Sequence, residues 1–296
     1  MTAFADTDEL CRRMDQAGYI TEKSLAVSLM LMAQLNRPLL VEGDAGVGKT
    51  EIAKALARAY GCELIRLQCY EGLDVNAAVY EWNYQRQLLA IKMQETEATS
   101  VADKERHVFG ENYLLRRPLL QAISRPSSPV LLIDEVDRAD EEFEAYLLEV
   151  LADYQISIPE LGTIKATSIP YVLLTSNGTR ELSDALRRRC LYHYIDYPDH
   201  DKELRIVLKR IPGIEERLAG QIVSFVQKLR KQELQKRPGT AETLDWAAAL
   251  LKMNIASLDS NPAVIADTLV CLLKTREDQA AVPPMVSARL LAQSVG

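Results

Sequence analysis

The stretch that decides the fold is Leu39-Leu40-Val41-Glu42-Gly43-Asp44-Ala45-Gly46-Val47-Gly48-Lys49-Thr50. An apolar run leads into a loop of pattern GxxxxGKT, and Ile52, Ala53, Leu56 and Ala57 then fall on one helical face. That order reads as strand, phosphate-binding loop and helix. The glycines let the loop wrap so that consecutive backbone N–H groups point at an anion, and the helix start adds a favourable dipole. Lys49 is expected to reach the β- and γ-phosphates of a nucleotide, and the Thr50 hydroxyl to ligate magnesium. The nucleotide-contacting set expected from the loop is Gly43, Asp44, Ala45, Gly46, Val47, Gly48, Lys49, Thr50 and Glu51.

Downstream, Pro129-Val130-Leu131-Leu132-Ile133-Asp134-Glu135 places two acids at the end of a second apolar run. Such a strand is buried, so the acids belong at its C-terminal end, where open α/β sheets bind ligands. Asp134 is expected to hold magnesium with Thr50, and Glu135 to orient and polarise the attacking water. A glutamate in the second position favours hydrolysis of ATP over phosphoryl transfer to a bound small molecule. No N-K-x-D guanine reader is apparent, which argues against GTP.

The 296 residues allow one large domain or two smaller ones. With 48% hydrophobic and 26% charged residues the composition is that of a soluble globular protein. A net charge of −7 argues against a surface built mainly for nucleic acid. The start, Met1-Thr2-Ala3-Phe4-Ala5-Asp6, lacks the basic and apolar regions of a secretory signal, so a cytoplasmic location without a membrane span is expected. Five cysteines without a CxxC pair and three scattered histidines support neither a disulfide framework nor a zinc site.

Short branched runs at 38–42, 64–68, 130–133, 171–175 and 192–197 read as buried strands of a parallel sheet flanked by helices, an α/β class. After Tyr197-Pro198-Asp199 the chain turns helical, over 200–210, 213–235, 240–256 and 261–275. The expected division is an α/β nucleotide-binding domain over 1–198 and an all-α lid over 199–296. A polar segment at about 86–113 interrupts the second helix of the sheet domain, and the alternation around 155–169 reads as a hairpin.

The order of P-loop, Asp134-Glu135, Val172-Leu173-Leu174-Thr175-Ser176-Asn177 and Leu186-Arg187-Arg188-Arg189-Cys190 resembles AAA+ ATPases over roughly 15–275. That resemblance implies ATP and Mg2+ as ligands, Asn177 as sensor 1, and Arg189 as an arginine finger, with Arg188 the alternative. A planar guanidinium suits a transferring phosphoryl group, and a finger reaching a neighbour's nucleotide implies a homo-oligomeric ring, expected to be hexameric. The insert and the hairpin together look like the MoxR branch, and Asp134-Glu135-Val136-Asp137-Arg138-Ala139 is similar to its D-E-I-N-R-A motif, with Asp137 in place of Asn. The segments Ala185–Tyr192, Ile195-Asp196-Tyr197-Pro198 and Ala241-Glu242-Thr243-Leu244-Asp245-Trp246 most resemble CoxD-type members. Those are linked to maturation of the metal centre of carbon monoxide dehydrogenase. The resemblance implies a chaperone-like role, a von Willebrand factor A-domain partner and a client of the molybdenum hydroxylase kind. One departure stands out: Glu242 falls where the branch carries a sensor 2 arginine, and Arg237 is off register.

Two other readings use the same fold, a nucleic-acid-associated motor and a nucleotide-dependent switch with little turnover. The acidic balance disfavours the first. The basic run Lys228–Arg237 keeps its leucines at helical spacing and reads as a solvated helix face. Tyr80, Trp82 and Tyr84 alternate and read as local packing, while Tyr19 and Ile20 are placed beside the adenine by analogy with AAA+ linkers.

Overall fold

The computed structural model describes residues 6–94 and 108–295. Part of the expected insert at 86–113 therefore lies outside the described residues. The chain forms two compact units. The first takes in the described residues up to Arg13, with Glu22–Glu42 and those of Ile52–Tyr194; the second takes in Met14–Thr21, Gly43–Glu51 and the chain from Ile195 onward.

In the first unit the strands are β1 (Leu39–Glu42), β2 (Leu64–Gln68), β3 (Tyr80–Trp82), β4 (Leu114–Arg116), β5 (Val130–Asp134), β6 (Gln155–Ile158), β7 (Gly162–Lys165), β8 (Tyr171–Ser176) and β9 (Leu191–Tyr194). Five of them make one parallel sheet in the order β2-β5-β8-β1-β9. Every residue of β5 is buried, as are Leu39, Leu40 and Val41 of β1, which is why these strands read as continuous apolar runs. Helices Lys23–Leu35 and Pro118–Ile123 pack on the sheet, the former against β1, β8 and β9 and the latter against β2 and β5. Because the strands are parallel, Glu42, Asp134 and Ser176 all end at the same edge.

Two small antiparallel ladders flank this sheet. The β6–β7 hairpin pairs Gln155 with Lys165 and Ile158 with Gly162. The β3–β4 ladder pairs Tyr80 with Arg116, buries Trp82 and sets its ring edge-on to Phe109 at 5.4 Å. Tyr84, by contrast, is exposed at the start of helix Tyr84–Gln94.

The second unit is helical after Ile195, with helices His200–Arg210, Glu216–Leu229, Thr240–Lys252, Pro262–Thr268, Arg276–Ala281 and Pro284–Val295. Its core gathers Ile222, Phe225, Val226, Trp246 and Leu250, all buried. Under it lies a buried ion pair. Arg230 donates to both carboxylate oxygens of Glu203 at 2.7 and 2.6 Å and to the Pro238 carbonyl at 2.7 Å, and the Thr243 hydroxyl donates to Glu203 at 2.8 Å. Arg230 turns inward directly after Leu229, which ends the helix expected to run to 235. The loop Gly43–Glu51 groups with this unit because its backbone packs on Gly239 and its Gly46 carbonyl accepts the Thr240 N–H at 3.0 Å. The domain limits expected from sequence place that loop, with 14–21, in the other part.

Removing one partner of a buried, hydrogen-bonded pair strands the other charge. Arg230→Ala should lower the unfolding free energy by about 3–5 kcal/mol in urea titrations, and Thr243→Val by less.

Candidate active site

At the C-terminal edge of the sheet one hydroxyl holds both acids. Thr175, near the end of β8, donates from Oγ1 to Asp134 Oδ1 at 2.5 Å and accepts the Glu135 backbone N–H at 2.9 Å. Glu135 is in the left-handed region at φ 55°, uncommon for a residue with a side chain. Its carboxylate meets Arg138 at 3.0 Å. The other oxygen of Asp134 accepts Arg66 Nε at 3.1 Å and Nη2 at 2.6 Å, and Arg66 also reaches Gln68. Asp134 is 2% exposed, so its charge is held by hydrogen bonds and an ion pair rather than by water.

The position that departs from D-E-I-N-R-A supports the next loop. Asp137 Oδ2 accepts the backbone N–H of Asn177 at 3.2 Å, that of Thr179 at 3.0 Å and the Thr179 hydroxyl at 2.6 Å. Glu144, 1% exposed, accepts the Ser183 N–H at 2.9 Å and pairs with Arg180. Together the two buried acids fix the loop from Asn177 to Ser183, which leads into helix Asp184–Arg189. Asp134, Glu135 and Asn177 are thus brought to one edge. Arg188 and Arg189 stand apart from them at the end of that helix, both exposed.

The loop Gly43–Glu51 belongs to the second unit. Gly46 and Gly48 take φ of 80° and 94°, the left-handed conformations that turn successive N–H groups toward one concavity. Lys49 is buried, and its Nζ donates to the Gly43 and Asp44 carbonyls at 2.7 Å each. A buried ammonium needs such partners, and phosphate oxygens are stronger ones. The hard oxygens of Thr50 and Asp134 are the donor type magnesium takes. Among the described residues no cluster of three or more His, Cys, Asp or Glu side chains could hold a metal ion.

Within the same unit, Tyr19, Ile20, Gly46, Val47, Gly48, Thr240 and Leu244 line a cavity of about 220 Å³. Tyr19 comes within 3.8 Å of where a Cβ on Gly48 would sit. Gly239 backs directly onto Gly46: a Cβ on Gly239 would lie 2.7 Å from the Gly46 Cα. Glu242, at the position where the resemblance implies an arginine, accepts the Gly239 N–H at 2.9 Å and so caps helix Thr240–Lys252. Tyr197 hydrogen-bonds Asp44, and burial together with that acid pushes its phenol up to about 12.

Sequence reasoning missed Thr175 and Arg66. A threonine inside a strand is ordinary β composition, and nothing marks an arginine in β2 as the partner of an acid in β5. Among the five cysteines, Cys69 and Cys190 are buried. Burial, with Asp134 next, pushes the Cys69 thiol up to about 12, and burial does the same for Cys190. A raised thiol pKa keeps the neutral form, which is not the nucleophile, until the pH approaches that value. Native Cys69 and Cys190 should therefore resist thiol alkylation at pH 8 and react once the chain is unfolded, as mass spectrometry of labelled peptides can read.

Uncharacterized proteins of Staphylococcus epidermidis and Staphylococcus aureus are each 26% identical to this chain, the alignments covering 84% of it and 89% of the relatives. Among solved structures, the Thermotoga maritima RuvB Holliday junction branch migration motor matches with a TM-score of 0.46 and 16% identity, over 83% of this chain and 66% of that one. A variant of the same motor gives 0.49, over 83% and 67%. No helix among the described residues is long and apolar enough to cross a membrane. The family description "AAA domain (dynein-related subfamily)" matches residues 38–190. That match takes in more than half of the 296 residues, and the chain belongs to this AAA family.

Proposed function

We propose that the chain is a magnesium-dependent ATPase that works as a ring, and that it uses hydrolysis to remodel a client protein or to assist assembly of the client's metal centre. The observation that carries this reading is the double hold of Thr175 on Asp134 and on the Glu135 backbone. A hydroxyl that fixes both acids, one of them at a left-handed backbone position, is support for chemistry rather than for packing.

In this reading the backbone of Gly43–Gly48 and the Lys49 ammonium bind the phosphates, and Glu51 follows in the first turn of the helix. Thr50 and Asp134 would hold magnesium, which when bound would neutralise charge on the phosphates. Glu135 orients a water and takes its proton, Asn177 helps to place that water, and Arg189, or Arg188 beside it, stabilises the phosphoryl charge in the site of a neighbouring subunit. The ring is taken as six subunits. The reading follows the MoxR branch, and within it the CoxD type, with a von Willebrand factor A-domain partner and a molybdenum hydroxylase as the client class, all in the cytoplasm.

Two substitutions separate binding from chemistry. Lys49→Ala removes charge-assisted bonds to phosphate and should weaken ATP binding by about 1.5–3 kcal/mol, tenfold or more in Kd. Glu135→Gln should leave ATP binding within a factor of a few and cut phosphate release by about 10²–10⁴. Phosphate release that survives Glu135→Gln at the parental rate assigns the water to another residue.

A further inference from the structure

The three arginines of Arg187-Arg188-Arg189 are used differently. Arg187 faces its own subunit, with its guanidinium 3.6 Å from Glu42 at the end of β1. The Arg188 and Arg189 side chains are exposed, and among the described residues neither has an ion-pair partner. Their backbone carbonyls, however, are taken. Arg37 donates from Nη2 to the carbonyls of Arg188 at 2.8 Å, Arg189 at 3.0 Å and Cys190 at 3.4 Å, and from Nε to that of Arg189 at 3.2 Å.

The last carbonyls of a helix have no partner within it, and a cation there also meets the negative end of the helix dipole. One planar guanidinium on three successive carbonyls fixes both the position and the direction of this end, which a point charge does not do. Arg37 is itself held. The Asn36 carbonyl accepts the Tyr154 hydroxyl at 2.8 Å, the Arg37 N–H bonds the Met32 carbonyl at 3.2 Å, and the Pro38 carbonyl accepts the Leu191 N–H at 2.7 Å. Two residues on, the same chain enters β1, which pairs with β9 from Leu39↔Leu191 to Glu42↔Tyr194.

We propose that Arg37 is a positioning residue for the exposed pair Arg188 and Arg189, fixing the backbone from which they reach a second copy of this chain. The proposal rests on the reading of that pair as the source of a finger. Arg37 precedes β1, whereas Glu42 ends it; Arg37 acts on the neighbour's turnover and not on its own subunit's binding. A misplacement on the order of 1 Å costs about a hundredfold in rate, which sets the size of the expected effect.

The test uses the full chain carrying Arg37→Ala, with Arg37→Lys beside it. Hydrogen exchange across 184–191 should rise at least tenfold in Arg37→Ala, with β5 and β8 unchanged. Unchanged exchange across 184–191 overturns the positioning. Phosphate release should fall by about a hundredfold while ATP binding stays within twofold of the parent, and Arg37→Lys should recover only part of the loss. In mixed assemblies, Glu135→Gln subunits, which still carry an ordered pair, should restore release to Arg37→Ala subunits; Arg189→Ala subunits should not. Release that is unaffected by Arg37→Ala, or lost and not restored by Glu135→Gln subunits, overturns the proposal. A parent chain that releases no phosphate sinks the ATPase reading instead, and the exchange measurement then decides the positioning by itself.

Discussion

A strand buried on both faces of a parallel sheet has no room for unpaired charge except where it ends. In this chain that constraint decides where chemistry can be. The residues of β5 are buried from Val130 to Asp134, and the first charge they admit is the last residue. Asp134 is tolerable there because Thr175, from the neighbouring strand, and Arg66, from the other neighbour, supply its hydrogen bonds. The strand order β2-β5-β8 is therefore more than topology, since it brings the two partners of one acid to either side of it.

The same order makes the sheet legible. Buried parallel strands read as short apolar runs, and four of the five expected runs agree with the observed strands to within a residue at either end. The fifth, expected over 192–197, runs Leu191–Tyr194 instead. From Ile195 the chain joins the other unit, and Pro198 has no N–H to extend a ladder. The β3–β4 ladder was harder to see. Its strands are three residues each and Leu115 is exposed; the ladder forms around the buried pair Trp82 and Leu114, with Phe109 edge-on to the Trp82 ring.

Site residues divide by whether their role depends on local or distant contacts. The loop and the acid pair are local patterns, set by glycine positions and by polarity at the end of an apolar run, and so could be read in order along the chain. Thr175, Arg66, Asp137 and Arg37 act through contacts from 40 to more than 150 residues away in sequence, and their types alone say nothing of those partners. Glu242 illustrates the converse. Its position invited comparison with an arginine, but its carboxylate satisfies a helix-end N–H, and beside it Gly239 and Gly46 pack so closely that neither can carry a side chain without a shift.

The central claim is that this chain hydrolyses ATP at a site completed by another copy of itself. The direct measurement is phosphate release per subunit, with ATP and magnesium in excess, as the protein concentration is raised through the range in which it assembles. The account predicts release that climbs from near background to a plateau as assembly proceeds, so that rate per subunit depends steeply on concentration. Release at the same rate per subunit in dilute monomer would contradict the shared site, and absence of release at every concentration would contradict the hydrolysis itself.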